Sequence, residues 1–120
     1  HGPTALEGVD AQVLLGVLAG EQGQHDRARR HHERALASVE ATLGARHPAV
    51  AAIVMNLGIV TEKQGRRAEA AEQYSRSLQL MEEVLGPEHV QVSFPLVNLA
   101  NLHVAAGQPS QALPLATRAS

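Results

Sequence analysis

The sequence contains no cysteine and no tryptophan, and it has one tyrosine and one phenylalanine among 120 residues. The missing thiols exclude disulfides, thiolate zinc sites and cysteine nucleophiles together, and they fit a reducing compartment such as the cytoplasm. With so few rings, any core must be built from Leu, Val, Ile and Ala. Charge is sparse as well: 18% of the residues are charged and the formal net charge is −2. That balance gives no electrostatic reason to expect nucleic acid or an anionic membrane. No apolar run reaches the roughly 20 residues that a membrane-spanning helix needs. His1-Gly2-Pro3 lacks the basic and apolar regions of a secretory signal.

What is present is alanine, together with leucine, glutamate, glutamine and arginine, a composition of closely packed helices. Hydrophobic residues make up 44%, enough for one packed domain over residues 1–120. Richness in Ala and Arg fits a GC-rich bacterial source. The helical pattern still runs at Ala116 to Ser120, so the chain reads as a piece of a longer protein.

Internal repetition dominates the sequence. Leu43-Gly44-Ala45-Arg46-His47 returns as Leu85-Gly86-Pro87-Glu88-His89, a step of 42 residues. The same step carries Val50 to Val92, Asn56-Leu57 to Asn98-Leu99, Gly65 to Gly107 and Ala70 to Ala112. Taken backwards it carries Leu57-Gly58 to Leu15-Gly16, Ala70 to Ala28, Arg76 to Arg34 and Leu78 to Leu36. The chain therefore holds three copies, over about 5–43, 48–85 and 90–119.

Each copy reads as two helices. Val50, Val54, Leu57, Gly58 and Thr61 recur at helical spacing, Gly65-Arg66 interrupts them, and Ala70, Tyr74, Ser77, Leu78, Met81 and Leu85 form a second stripe ended by Gly86-Pro87. The spacing predicts helices at 5–22, 26–43, 48–64, 67–85, 90–106 and 109–119. Gly16 and Gly58 recur inside first helices, where glycine costs about 1 kcal/mol relative to alanine, so a close helix contact is expected there. A lone hairpin cannot bury both stripes, so neighbouring hairpins must stack.

His47-Pro48-Ala49-Val50-Ala51, Asn56-Leu57-Gly58, Gln64-Gly65-Arg66, Ala68-Glu69-Ala70 and Tyr74-Ser75-Arg76-Ser77-Leu78 together resemble tetratricopeptide repeats, in the 42-residue form found in kinesin light chains. The resemblance implies an all-α fold, an α-α superhelix of about three helical hairpins and six helices. Departures are visible. The family's first-helix aromatic is Ala19, Thr61 or His103 here, and its second-helix aromatic survives only as Tyr74, with His32 and Ala116 in the other copies. Copy three has Val90 where the loop usually has proline, and its Pro95 is expected to break a hydrogen bond and kink the fifth helix.

The resemblance also implies a concave groove, lined by the first helices, that binds a protein or peptide segment. Its positions carry over as Val13 and Val17, with Asp10, Leu14 and Glu21, in copy one. In copy two they are Met55, Asn56, Ile59, Glu62 and Lys63, with Ala52; in copy three they are Phe94, Val97, Asn98 and Asn101, with Val104. Asn56 and Asn98 either read a ligand backbone, since an amide both donates and accepts, or bond neighbouring helices and brace the stack. The groove lacks the Lys and Arg set that clamps a carboxylate or phosphate, so an apolar or helical peptide is the expected partner.

Other chemistry is weakly supported. His25, His31 and His32 share a helix but do not supply the converging ligands zinc requires, and His47 and His89 fit a capping role. Arg27, Arg29, Arg30 and Arg34 read as a solvated face, interrupted by Glu33 and without rings to stack on bases. No phosphate loop, nucleophile elbow or His-Glu-x-x-His pattern is present, so neither an enzyme nor a cofactor is expected. The alternative to peptide binding is self-association into a homo-oligomer through the exposed ends of the array.

Overall fold

A computed structural model describes residues 8–120. Six α-helices succeed one another: α1 (Val9–Glu21), α2 (His25–Leu43), α3 (Pro48–Lys63), α4 (Arg67–Leu85), α5 (Ser93–Ala105) and α6 (Pro109–Ala119). A short 3-10 turn, Val90–Val92, precedes α5. Among the described residues there is no strand. The expected start of the first helix, at 5–7, lies outside the described residues.

The 42-residue step is structural. Each hairpin closes with the same backbone bond: Gln24 N–H to Ala19 C=O at 2.9 Å, Arg66 to Thr61 at 3.1 Å, and Gln108 to His103 at 2.7 Å. That closure needs a left-handed residue after the helix, and Gly23, Gly65 and Gly107 supply it with φ of 77°, 83° and 76°. His47 and His89 each cap the next helical turn, as expected. Their Nδ1 atoms accept from the backbone two residues on, Ala49 N–H at 3.0 Å and Gln91 N–H at 3.1 Å.

Copy three corrects one expectation. Pro48 opens α3 directly behind its cap, but the equivalent Val90 opens only a 3-10 turn. A helix begun at Val90 would require a hydrogen bond from residue 95, and Pro95 has none to give. The helix instead begins at Ser93, so Pro95 falls in its first turn, where the backbone N–H groups have no partner within the helix. The irregularity is absorbed as a late start that leaves no helical hydrogen bond for Pro95 to break.

The main core spans all three copies. Ala35 and Val39 from α2, Val50, Ile53 and Val54 from α3, Leu80 and Met81 from α4, and Val92 and Leu96 form a single buried cluster. Val9 and Val13 of α1 and Leu115 and Ala119 of α6 pack on its margins. The extents of 54 × 33 × 19 Å fit a slab two helices thick. Second helices of adjacent copies are also linked by equivalent ion pairs, Arg76–Glu40 at 4.0 Å and Arg118–Glu82 at 2.9 Å.

Arg29 differs from its expected place on a solvated face. Its guanidinium reaches the next hairpin, donating to Thr61 Oγ1 at 2.9 Å and Gln64 Oε1 at 2.7 Å. The 42-residue step puts Ala71 and Leu113 at the equivalent positions, so copy one alone makes this brace.

Candidate functional site

The first helices α1, α3 and α5 carry every residue expected to line the groove. Val17, Asn56, Ile59 and Lys63 converge on a hollow of about 230 Å³ between α1 and α3. Gly16, Gly20, Glu21, His32 and Val60 complete its lining. Of these, Gly16, Gly20, His32 and Val60 are absent from the expected groove, although the alignment of copies contains the signal: it sets Gly20 against Glu62, and His32 against Tyr74.

The remaining candidates are placed differently. Val13 is half-buried at the edge of the main core. Met55 leans on a second cluster, formed by Ala70, Tyr74, Leu99 and Leu102, as does Ile59 besides lining the hollow. Glu62 is engaged within the chain, accepting from the Tyr74 hydroxyl at 2.8 Å. Phe94 and Val97 stand on α5 at 56% and 44% exposure, with Asn101 and Val104 exposed beside them and Asn98 half-buried. They lie outside the hollow. Among the described residues, neither the Asn56 nor the Asn98 side chain exchanges a hydrogen bond with the rest of the chain.

The floor of the hollow is set by the contact of ring and glycine. The His32 imidazole lies against Gly16, where an added Cβ would stand 2.6 Å from Cε1. Tyr74 lies on Gly58 in the same manner in copy two. His32 is 1% exposed and its Nδ1 is buried without a partner. Burial, and then the neighbouring His31, hold the imidazole below its ordinary value of 6.5, so the ring is neutral at pH 7. Burial raises the Tyr74 phenol, and the Glu62 hydrogen bond and charge add to the shift.

A wider dish of about 480 Å³ lies at the tip of the first hairpin, among Gly23, His25, Arg27, Arg30 and Gln64. It is open and polar and holds none of the expected groove residues, so it offers less to desolvate a ligand than the hollow does. Among the described residues no group of three His, Asp or Glu side chains is disposed to hold a metal ion. No described helix is long and apolar enough to cross a membrane.

The tetratricopeptide repeat profile matches residues 9–78 and again 50–120. BtubC (BKLC) from P. vanneervenii superposes with a TM-score of 0.82 at 22% identity, over 92% of this chain and 44% of that one. A Podosopora anserina protein assigned as a kinesin light chain, with nearly identical TPR-like repeats, superposes with a TM-score of 0.81 at 24% identity, over 99% of this chain and 56% of that one. The chain thus spans about half the length of these solved structures. The search of curated proteins finds no match.

Proposed function

Because the chain belongs to the tetratricopeptide repeat family, whose members generally mediate protein–protein interaction, we propose that it is a non-catalytic adaptor holding a peptide segment of a partner along α1, α3 and α5. One observation carries the reading. The helices that would line the trough leave Leu14, Val17, Phe94, Val97 and Val104 exposed, while among the described residues the amides of Asn56 and Asn98 have no hydrogen-bond partner. Apolar side chains left in water gain by covering, and free amides can pair with a peptide backbone. Lys63 is the one cation on this list of groove residues, so an apolar or helical segment suits it better than an acidic tail. The absence of cysteine fits a cytoplasmic setting for such an adaptor.

Selection from a displayed peptide library, followed by titration, tests this. Asn56→Ala with Asn98→Ala should weaken selected peptides by about tenfold or more, ~1.4 kcal/mol. Selected peptides that bind the double variant unchanged would remove the amides from the site.

A second reading has its own observation. Leu15 and Leu18 are 46% and 44% exposed, whereas their equivalents Leu57, Leu99, Val60 and Leu102 are all at or below 6%. In copies two and three that face meets the second helix of the preceding hairpin: Val60 packs with Ala28, and Leu99 and Leu102 with Ala70 and Tyr74. The α1 face therefore suits another helix of the same kind, from this chain or from a second copy.

A further inference from the structure

We propose that the hollow between α1 and α3 is a socket for one side chain of the bound peptide, a ring with a hydrogen-bonding tip, of which tyrosine is the natural example. The proposal rests on the groove reading above and names the chemistry of one of its subsites.

The two equivalent places in the array show why a socket exists. In copy two, Tyr74 lies on Gly58 and its hydroxyl bonds Glu62, so the protein's own groups occupy the space beyond the ring. In copy one both groups are shorter. His32 replaces the tyrosine, and Gly20 replaces the glutamate. The missing atoms correspond to the outer end of a phenol and a carboxylate chain. What remains is the hollow of about 230 Å³.

Its volume and chemistry limit the guest. An apolar cavity of about 150 Å³ admits benzene, so this space takes a ring with a substituent. It is smaller than the roughly 300 Å³ at which pockets for drug-sized ligands begin, so it takes one side chain rather than a larger body. Val17, Ile59, Val60 and the glycine backbones supply apolar walls. The polar groups are the buried, neutral His32 imidazole, the Asn56 amide, the Glu21 carboxylate and the Lys63 ammonium. A wholly apolar guest would leave these unanswered, and a charged guest of either sign would meet a like charge in Glu21 or Lys63 and lose its hydration against three apolar walls. A phenol answers both, with a flat apolar body and a hydroxyl that donates and accepts.

The structure also supplies a way to close the socket. Gly20 has ordinary helical φ, and a Cβ there would meet only the Ala28 Cβ at 3.9 Å. Gly20→Glu together with His32→Tyr should rebuild the arrangement of copy two, and Gly20→Gln alone should block the space with the imidazole kept.

The probe is p-cresol, titrated into isotopically labelled protein and followed by NMR, with toluene as the partner lacking a hydroxyl. Expected are saturable shifts at Gly16, Gly20, His32 and Asn56, weaker for toluene, and abolished in both variants while the remaining spectrum keeps its dispersion. No saturable shifts with p-cresol, or equal binding of toluene, would overturn the proposal. Peptides selected as above should carry a tyrosine at a fixed position and lose about tenfold or more on Gly20→Gln, ~1.4 kcal/mol. Peptides that bind the variant unchanged would sink the socket and leave the groove intact. Failure to select any peptide, beside intact p-cresol binding, would count against the groove reading alone.

Discussion

Tyr74 crosses α3 at Gly58 so closely that a Cβ on that glycine would stand 2.7 Å from ring carbon Cε1. The ring is 1% exposed and cannot swing into solvent without opening the second cluster. Gly58→Ala should therefore destabilise the chain by about 1–3 kcal/mol, the cost of overpacking, although alanine is the better helix former by about 1 kcal/mol. Gly16→Ala should behave likewise against His32. Gly20→Ala meets no obstacle nearer than Ala28 at 3.9 Å and should stabilise by up to about 1 kcal/mol. Urea unfolding of the three variants checks the opposite signs.

Arg29 ties the first hairpin to the second through two hydrogen bonds from a charged donor. Its removal leaves the Thr61 hydroxyl with its own donation to Leu57 C=O at 2.9 Å but without an incoming donor. Because Arg29 is only half-buried, the expected loss for Arg29→Ala is modest, about 1–2 kcal/mol. A double-mutant cycle with Gln64→Ala in denaturant titrations should return a coupling of about 0.5 kcal/mol or more, and additivity would place the arginine's contribution elsewhere.

His32 should make stability fall on the acid side. Its folded value lies below 6.5 because burial disfavours the cation. The unfolded chain therefore binds a proton that the folded chain refuses. Stability is full above the unfolded value and is lost as pH falls from about 6.5 through the folded one, by at most ~1.4 kcal/mol per pH unit. His32→Phe, with no proton to bind, should remove that part of the slope between pH 7.5 and 5.5. An unchanged slope in denaturant midpoints would assign the acid sensitivity to other histidines.

Much of the fold is legible in the residues alone. The positions that define the repeat are those with a single physical solution: Gly65 and its equivalents take a left-handed turn, His47 caps a backbone N–H, and Ala28 and Ala70 sit where helices touch. The candidate site is only partly legible. Val17, Asn56, Ile59 and Lys63 do meet, but Glu62 is engaged by a tyrosine whose reach depends on the backbone separation set by Gly58. The hollow itself is a difference between two copies, Gly20 and His32 against Glu62 and Tyr74, and its size comes from packing rather than from periodicity. The Arg29 brace is hidden for a related reason, since an arginine among other charged residues gives no sign of which one finds a partner across the hairpin boundary.

Leu15 and Leu57 offer the last test, because one residue type holds one repeat position under two conditions. Leu57 is 6% exposed and Leu15 46%. Leu57→Ala removes a packed side chain and should cost about 2–5 kcal/mol in urea unfolding. Leu15→Ala removes one that is already half in water and should cost under about 1 kcal/mol in the dilute chain, if that face is bare. The contrast disappears if a second copy covers α1, because Leu15→Ala then also empties a packed site. Sedimentation at increasing concentration should then show an oligomer that Leu15→Glu with Leu18→Glu abolishes, since carboxylates buried against Ala28-like positions would be unpaired. A monomer at all concentrations, with Leu15→Ala as costly as Leu57→Ala, would mean that the α1 face is covered from within the chain.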